Sequence, residues 1–520
     1  MSTITSGYRT SNANFLSQDI TNSDYYIFVS TTVFTSTVNS DFSSNDFLEK
    51  TLFGKKINPS DTFFMIENRR WLSGTVYDQY DDMDDMTSKA FYIVVYPSDN
   101  STGDYRVFKC LFNNYGAQSV NAPNYETDVD DQIYRLGDGY VWKYMYAITT
   151  DQFKKYSALN YAPIIGNASA NTVINKSIDH IEISNPDTNK GYELKSGLIY
   201  EVLTNEVVIT DPKNSLSELT DYYSGQILYV TDPNNESRLY TIDNYSYNIL
   251  NLKGTLTLLD KDSFIQPNFS FKIFPRIEIT GDGTGAIAVP SINQFGVIEK
   301  VTMHNKGSGY TNAAARVVNP VSGFDPVNTS TVDVEAILRP ILSPEGGHAT
   351  NFKYELGSKQ VLVYLTLTDT DNLSIPSSNK YGKVGIVKNP TFITNTAPEI
   401  FDNRLELQLN SSLLTTDEIV TQSLGATVTF RGQVHEASGN TAYICNYHGP
   451  YENYDNDGYF DLPLDPTKLI VSSQNQFISI NNVVRPPYVQ KTGDVYYMTS
   501  FATITRTPTS NEEYKIVLEF

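Results

Sequence analysis

The stretch Val361-Leu-Val-Tyr-Leu-Thr-Leu-Thr368 indicates the fold class of this chain. Its β-branched, aromatic and aliphatic residues favour the extended, pleated conformation of a strand. Comparable runs occur at Tyr26–Phe34, Ala426–Phe430 and Tyr514–Phe520, and Asn, Asp, Gly, Ser and Pro separate such runs throughout the chain. The sequence therefore predicts a mainly β, multi-domain protein of antiparallel sandwich-like or barrel-like modules with a few short helices.

Helices are expected to be few, and two segments are candidates. The first should run from Asn45 to Phe53 and stop at Gly54, because Phe47, Leu48 and Leu52 fall on one helical face. The second should run from Asp151 to Ser157, with Thr150 as its amino-terminal cap.

The length of 520 residues predicts about three or four domains. Changes in residue composition along the chain suggest the boundaries. We predict an N-terminal β domain at 1–165, an inserted β region at 166–350, a core segment at 351–395, a second small β insert at 396–474 and C-terminal core strands at 475–520.

The first insert contains a weak internal repeat. Ile178–Asn185 leads to Gly191-Tyr192, and the similar stretch Ile298–Asn305 leads to Gly309-Tyr310. Two strand-like units that each end in a Gly-Tyr turn suggest a repeated small β module.

The charge excludes several classes of partner. The chain has 38 Lys and Arg against 59 Asp and Glu, a net charge of -21. Proteins that bind nucleic acid or anionic lipid neutralise phosphates with a basic surface, so we expect no nucleic-acid partner. We expect no membrane insertion either, since no apolar run approaches the ~20 residues that span a bilayer. Cys110 and Cys445 are expected to be buried free thiols, and the absence of a signal peptide predicts a soluble protein made in a reducing compartment.

Two glycine-containing segments imitate ligand loops. Gly281–Ala286 fits the dinucleotide pattern, but another strand-like run follows it instead of the helix that would bind a pyrophosphate, so a hairpin turn is expected. Asn453, Asp455 and Asp457 copy the first half of a calcium loop, but Leu464 stands where a bidentate glutamate would complete it. An acidic turn is the favoured interpretation, and a looser calcium site remains the alternative.

Clusters of titratable residues give no catalytic pattern. The run of aspartates from Asp78 to Asp85 favours a solvated loop over a metal-binding one, with Arg69 and Arg70 as potential partners for part of it. The five histidines share no metal-ligand spacing. The sequence thus predicts no cofactor, no metal and no enzymatic activity.

Two segments carry a family resemblance. The first is Gly137-Asp-Gly-Tyr-Val-Trp-Lys-Tyr-Met-Tyr-Ala-Ile148, and the second is Arg485-Pro-Pro487 followed by Glu512–Phe520. Both resemble, in this order, segments of the baseplate wedge subunit of contractile-tailed bacteriophages, the gene-product-eight family. The likeness covers residues 8–165, 355–395 and 475–520, roughly half of the chain, and the remaining segments look like β inserts that enlarge the core.

The resemblance implies a structural role. Members of that family are mainly β, form a homodimer within each wedge and contact other wedge subunits of a sixfold baseplate, which rearranges when the phage engages its host. The expected location is therefore the virion tail baseplate, after synthesis in the host cytoplasm. Tyr, Trp and Arg often anchor such interfaces, and the interface candidates are Arg69, Arg70, Trp71, Tyr140, Trp142, Arg485 and Tyr488.

Other interpretations stay open. Each interface candidate could instead pack in a core or anchor a turn. The β-rich inserts with tyrosine-bearing loops would also suit a carbohydrate-binding tail fibre or adhesin, and carboxylates brought together in the fold would suit a glycan hydrolase.

The strand after Gly139 yields a burial prediction. Its alternation places Tyr140, Trp142, Tyr144 and Tyr146 on one face and Lys143 on the other. We expect the aromatic face to be buried and Lys143 to reach solvent.

Overall fold

The computed structural model describes most of the chain. The described residues are 6–31, 44–98, 103–125, 132–166, 176–190, 192, 195–202, 206–210, 216, 220–231, 237–246, 249–252, 270–293, 295–318, 334–373, 375, 380–394, 396–424, 427–448, 464–507 and 509–520.

Helices are few within these residues. The α-helices are α1 (Ser6–Asn22), α2 (Ser44–Glu49), α3 (Thr150–Tyr156) and α4 (Phe352–Glu355). Short 3-10 turns occur at Pro59–Asp61, Met86–Ser88 and Asp369–Leu373.

Strands make up most of the regular structure, and the amino-terminal ones belong to the first 165 residues. They are β1 (Tyr25–Ser30), β2 (Thr51–Lys56), β3 (Thr62–Glu67), β4 (Tyr92–Val95), β5 (Tyr105–Phe112), β6 (Ile133–Arg135), β7 (Val141–Ile148) and β8 (Tyr161–Pro163).

The next strands lie between residues 178 and 342. They are β9 (Ile178–Ile183), β10 (Lys195–Val202), β11 (Glu206–Thr210), β12 (Ile227–Thr231), β13 (Ser237–Ser246), β14 (Ile249–Leu252), β15 (Ser270–Phe274), β16 (Arg276–Gly281), β17 (Thr284–Ile292), β18 (Ile298–Ser308), β19 (Ala313–Val318) and β20 (Leu338–Leu342).

The remaining strands complete the chain. They are β21 (Gln360–Leu367), β22 (Lys380–Lys388), β23 (Ile400–Asp402), β24 (Leu405–Leu409), β25 (Ile419–Leu424), β26 (Thr427–Ser438), β27 (Thr441–His448), β28 (Ile470–Ser472), β29 (Phe477–Ile478), β30 (Ile480–Val484), β31 (Asp494–Thr505) and β32 (Glu512–Glu519).

Two antiparallel sheets form the centre of the molecule. One has the order β23-β2-β1-β22-β31 and the other the order β32-β21-β3-β8. Their facing side chains, including Ile27 of β1, Val363 of β21 and Ile386 of β22, belong to one buried cluster. These strands come from residues 25–67, 161–163, 360–402 and 494–519, so distant parts of the chain complete a single sandwich. A third sheet, β4-β5-β7-β6, is built entirely from residues 92–148.

Residues 178–342 form sheets of their own. Strands β10 to β15 close into a six-stranded barrel in the order β10-β11-β14-β13-β12-β15. Beside it stand the four-stranded sheet β16-β19-β20-β9 and the hairpin β17-β18. We call residues 178–342 the first module.

Residues 405–484 form a second unit, the seven-stranded sheet β29-β28-β25-β26-β27-β24-β30. We call these residues the second module. It differs at its ends from the predicted segment 396–474, since β23 pairs with β2 of the central sheet and β30 extends the module to Val484. The mainly β, multi-sheet antiparallel architecture confirms the predicted fold class.

The first predicted helix is wrong in its second half. Helix α2 ends at Glu49, and Leu52, Phe53 and Gly54 lie in β2, paired with β1. The strand is favoured over the helix here because Leu52 and Phe53 become almost fully buried in the sandwich. A Cβ on Gly54 would lie 2.5 Å from the ring of Phe401, so the glycine makes room for that ring.

The second predicted helix is confirmed with a shift of one residue. Helix α3 begins at Thr150, and its cap is Thr149, whose hydroxyl accepts a hydrogen bond from the Gln152 amide while the Gln152 side chain accepts one from the Thr149 amide. The longest helix, α1, was missed by the sequence reasoning. Most residues of α1 are polar, so its short apolar stripe is easily overlooked in the sequence. That stripe, Ala13, Leu16 and Ile20, has helical spacing and is buried.

The two copies of the weak repeat meet in one core. Ile178 and Ile298, which start the two similar stretches, are both fully buried, and Tyr192 and Tyr310 at their ends are nearly so. All four side chains belong to the same hydrophobic cluster of the first module.

Both cysteines, Cys110 and Cys445, are buried free thiols, as predicted. Within the described residues, no helix is both long and apolar enough to span a membrane.

The first module joins the rest of the chain through two adjacent strands. β9 enters and β20 leaves side by side, paired from Ile178–Leu342 to Ile183–Leu338. Just outside this pair, the Ser177 amide donates to Ser343 Oγ at 3.0 Å and the Ser343 amide donates to the Ser177 carbonyl at 2.8 Å. The two ends of the module are thus already in contact, the geometry that an insertable unit needs.

We therefore expect residues 178–342 to be removable. A short Gly/Ser linker between Ser177 and Ser343 should leave the central sandwich folded, with strand-type circular dichroism and a cooperative melt. The control deletion 190–342 keeps β9 without its partner β20 and should aggregate, because Ile178, Ile181 and Ile183 become exposed. Collapse of the first variant would show that module and sandwich share one folding unit.

Candidate functional site

The segment Gly137–Trp142 builds a tight turn followed by β7. Gly139 has φ +84°, and a Cβ there would lie 2.5 Å from the Asn114 side chain. Only glycine combines this left-handed conformation with so close an approach. The Gly139 amide donates to the Leu136 carbonyl at 3.0 Å, which closes the turn.

Asp138 of this turn organises a neighbouring loop. Its Oδ2 accepts hydrogen bonds from the Val120 amide at 2.8 Å and the Asn121 amide at 2.9 Å, and its Oδ1 accepts one from the Tyr140 amide at 3.1 Å. A carboxylate that gathers backbone amides in this way fixes a loop that lies outside the named strands.

Two aromatic side chains complete the scaffold. The Tyr140 hydroxyl donates to the Ala117 carbonyl at 2.6 Å and accepts from the Tyr77 amide at 3.1 Å. Trp71 Nε1 donates to Ser119 Oγ at 3.1 Å, so the segment 71–77 is tied to the same loop. We call residues 71–77, 113–121 and 136–140 together the loop cluster.

The loop cluster contains backbone strain. Asn114 and Tyr115 have φ values of 50° and 56°, and Gly116 follows at 79°. A left-handed conformation is costly for a bulky residue such as Tyr115, and strain of this kind concentrates at functional sites.

Apolar side chains of the loop cluster face solvent. Leu72 is 57% exposed, Val76 51%, Val120 53% and Tyr115 46%. Ordered loops that expose several apolar side chains are typical of protein interaction surfaces, since the order lowers the entropy cost of binding. Sequence reasoning missed these four residues, because an exposed aliphatic residue carries no local signal until the loops are folded.

The predicted interface residues divide into buried and surface positions. Tyr140, Trp142 and Tyr488 are almost fully buried within the chain, the first two under the loop cluster and Tyr488 in a central cluster. Arg70 is exposed over the ring of Tyr96, at 4.7 Å from its centroid.

Three more of these residues are partly exposed. Arg69 pairs with Glu67 at 2.8 Å, and Trp71 and Arg485 are half-buried. Only Tyr140, Trp142 and Trp71 are therefore brought together, while Arg485 and Tyr488 lie in another part of the sequence and of the core.

The predicted two faces of β7 need a correction. Lys143 was expected to reach solvent but is only 8% exposed. It lies in the middle of the sheet, where its backbone is opposite Lys109 of β5 on one side and Ile133 of β6 on the other. The register against β5 slips at Met145, so Tyr146 packs with the cluster on the opposite side from Trp142. One extra residue reverses a strand's faces, which alternation alone does not reveal.

Trp142→Ala should destabilise the fold by about 3–5 kcal/mol, because its fully buried ring stacks on Tyr140 at 5.5 Å and packs edge-on against Tyr77 at 5.7 Å. Trp142→Phe is the matched control, since it keeps a ring there. Thermal unfolding followed by circular dichroism should show a large loss for the first variant and a small one for the second. An unchanged melting temperature for Trp142→Ala would contradict the burial argument.

The aspartate run after Trp71 is only in part the solvated loop that the sequence favoured, since Asp84 and Asp85 are exposed but Asp81 and Asp82 are not. Asp81 is 4% exposed and forms an ion pair with Arg339 of β20, and Asp82 accepts a hydrogen bond from the Leu342 amide at 3.0 Å. Asp81 and Asp82 thus bind the first module. Arg69 pairs with Glu67, and Arg70 lies over the ring of Tyr96.

A fully buried ion pair lies close to this contact. Lys109 Nζ of β5 lies 2.5 Å from Glu355 Oε2 of α4, with exposed fractions of 0% and 2% for the two side chains. Glu355 also accepts from the amides of Ala349, Thr350 and Asn351. Burial lowers the pKa of Lys109, although the charge of Glu355 acts in the other direction and raises it. Burial by itself would raise the pKa of Glu355, but Lys109 and the amides lower it.

Breaking this pair should cost about 3–5 kcal/mol, since Glu355→Gln leaves the Lys109 charge buried and unpaired. The double variant Lys109→Met/Glu355→Gln should recover most of that loss. The surface pair Lys359–Glu519, 2.7 Å apart, is the control, and its equivalent variants should change stability by about 1 kcal/mol or less. Tryptophan fluorescence during thermal unfolding measures each variant, and equal losses for the two pairs would contradict the argument.

The remaining motif predictions have different outcomes. Gly281–Ala286 joins β16 to β17, but it is not the hairpin turn that was expected, because β16 pairs with β19 and β17 pairs with β18. Asp282 accepts hydrogen bonds from the Thr311 hydroxyl and from the amides of Thr311 and Asn312, which lower its pKa to about 2. The calcium-like residues Asn453, Asp455 and Asp457 lie outside the described residues. Among the residues described, no group of three His, Cys, Asp or Glu side chains could hold a metal ion.

No protein-family model matches this chain, and no curated protein matches it.

Proposed function

We propose that this protein is a structural subunit of a phage tail baseplate wedge that acts through protein–protein interfaces and has no enzymatic activity. It would reside in the virion after synthesis in the host cytoplasm, form a homodimer and contact other wedge subunits. Nucleic acid and membrane are not among its proposed partners.

One observation carries this proposal. The Gly137–Trp142 segment, on which the family resemblance depends most, orders a loop cluster that exposes Leu72, Val76, Tyr115 and Val120. The physical role of the segment is visible in its hydrogen bonds, because the polar groups of Asp138 and Tyr140 bind the loops around it. Such a surface fits a role in contacts between subunits.

The arrangement of the chain gives further support. The segments that resemble the wedge family contribute β1, β22 and β31 to one central sheet and β3, β21 and β32 to the facing one. The modules at 178–342 and 405–484 fold into separate sheets on this sandwich. Baseplate rearrangement would then be a choice between two packings of rigid units, decided by small differences in contact energy.

The proposal predicts that Leu72→Ser/Val120→Ser blocks incorporation into baseplates while the purified protein keeps its melting temperature. Phe295→Ser is the matched control, because Phe295 is 75% exposed but lies in the first module. Quantitative mass spectrometry of assembled tails measures incorporation, and native mass spectrometry of the purified protein should give a dimer.

Two results would overturn the proposal. Normal incorporation of the double variant would remove the loop cluster as a wedge contact. A trimer that binds glycans on an array and is absent from baseplates would instead favour the carbohydrate-binding fibre.

A further inference from the structure

A buried histidine lies where the first module meets the rest of the chain. His348 belongs to the segment 343–351 between β20 and α4, and its side chain is 8% exposed. Its Nε2 lies 3.4 Å from Asp179 Oδ1 of β9, and its ring packs edge-on against Tyr80 at 5.6 Å. The imidazole thus touches both sides of the joint.

Charged and titratable groups surround this ring from every element at the joint. Asp179 is also approached by His180 Nδ1 at 3.2 Å and by Lys306 Nζ of β18 at 3.0 Å. On the other side are the buried Lys109–Glu355 pair and Tyr80, whose ring centroid lies 4.6 Å from Lys109 Nζ. The groups are Tyr80, Lys109, Asp179, His180, Lys306 and Glu355.

The charges of the lysines and carboxylates around His348 balance only while His348 itself is neutral. Lys109 and Lys306 supply two positive charges, and Asp179 and Glu355 supply two negative ones. A proton on His348 adds an uncompensated positive charge in a nearly solvent-free place, beside Lys109. Burying an unbalanced charge is costly, and opening the joint to water relieves the cost.

We propose that this joint is an acid-sensitive latch, in which protonation of His348 loosens the first module from the third sheet and from the segment 343–355.

The direction of the pH effect follows from linkage. Burial and the Lys109 charge lower the pKa of His348 below its ordinary value of 6.5, so the opened joint binds a proton more readily than the closed one. The closed form is therefore fully favoured above about pH 6.5 and loses stability as the pH falls below that value. Burial works against the ionisation of Asp179, but the charge that His348 gains on protonation and the hydrogen bond with His180 lower the pKa of the Asp179 carboxyl well below the usual range, so the proton goes to His348 and not to Asp179.

Hydrogen exchange of the full-length protein tests the latch. After correction for intrinsic exchange rates, protection of β9 (Ile178–Ile183) should fall at least tenfold between pH 7.5 and pH 5.0, while β21 in the sandwich keeps its protection. His348→Gln should preserve the protection of β9 at pH 5.0. His348→Lys, which carries a permanent charge, should lose it already at pH 7.5.

His435→Gln is the matched control. His435 is a second buried histidine, in the second module, where Nδ1 lies 3.2 Å from Arg404 Nη1 and burial with that charge lowers its pKa to about 4. This variant should show the same loss at β9 as the unmodified protein. The latch is overturned if β9 stays protected at pH 5.0, or if His348→Gln loses protection as the unmodified protein does. Neither outcome depends on a role in a baseplate.

Discussion

The antiparallel pairing of β21 with β3 on one side and β32 on the other is the constraint on which the rest of the structure depends. It joins residues 62–67, 360–367 and 512–519, so the chain has to return twice over long distances before the sandwich closes. This pairing buries both faces of β21, with Val361 and Val363 on one face and Leu362 and Tyr364 on the other. Non-local pairing of this kind needs large buried apolar area to offset loop-closure entropy.

Long-range strand pairing of the same kind explains how the chain accommodates its two large modules. Each one leaves and re-enters through paired strands, β9 with β20 and β24 with β30, so its ends stay adjacent whatever lies between them. Ionic contacts then fix the first module against the loop before β4 and against the segment that follows β20. Asp81–Arg339 and the cluster around Asp179 supply these contacts, and charges make such a joint specific and sensitive to its surroundings.

The loop cluster illustrates how one short motif acts beyond its own strand. Gly139 permits the turn, Asp138 gathers the amides of Val120 and Asn121, and Tyr140 holds Ala117 and Tyr77. Tyr140 and Trp142 of the motif are buried, and apolar residues of the loops that the motif orders are those that face solvent. The motif's own side chains therefore support the loop cluster from below, and the exposed residues of the loop cluster form the surface itself.

Local residue preference determined the strands, the turn at Gly139 and the cap region of α3, because these depend on neighbours in sequence. It also indicated that Trp142 would be buried. Tertiary structure decided the rest. Pairing with β1 converted Leu52–Gly54 from helix to strand, a slip at Met145 reversed the end of β7, and Arg339 turned the aspartate run into a contact. Each of these outcomes depends on a partner far away in sequence, and no local pattern records which distant group will supply the pairing strand or the opposite charge.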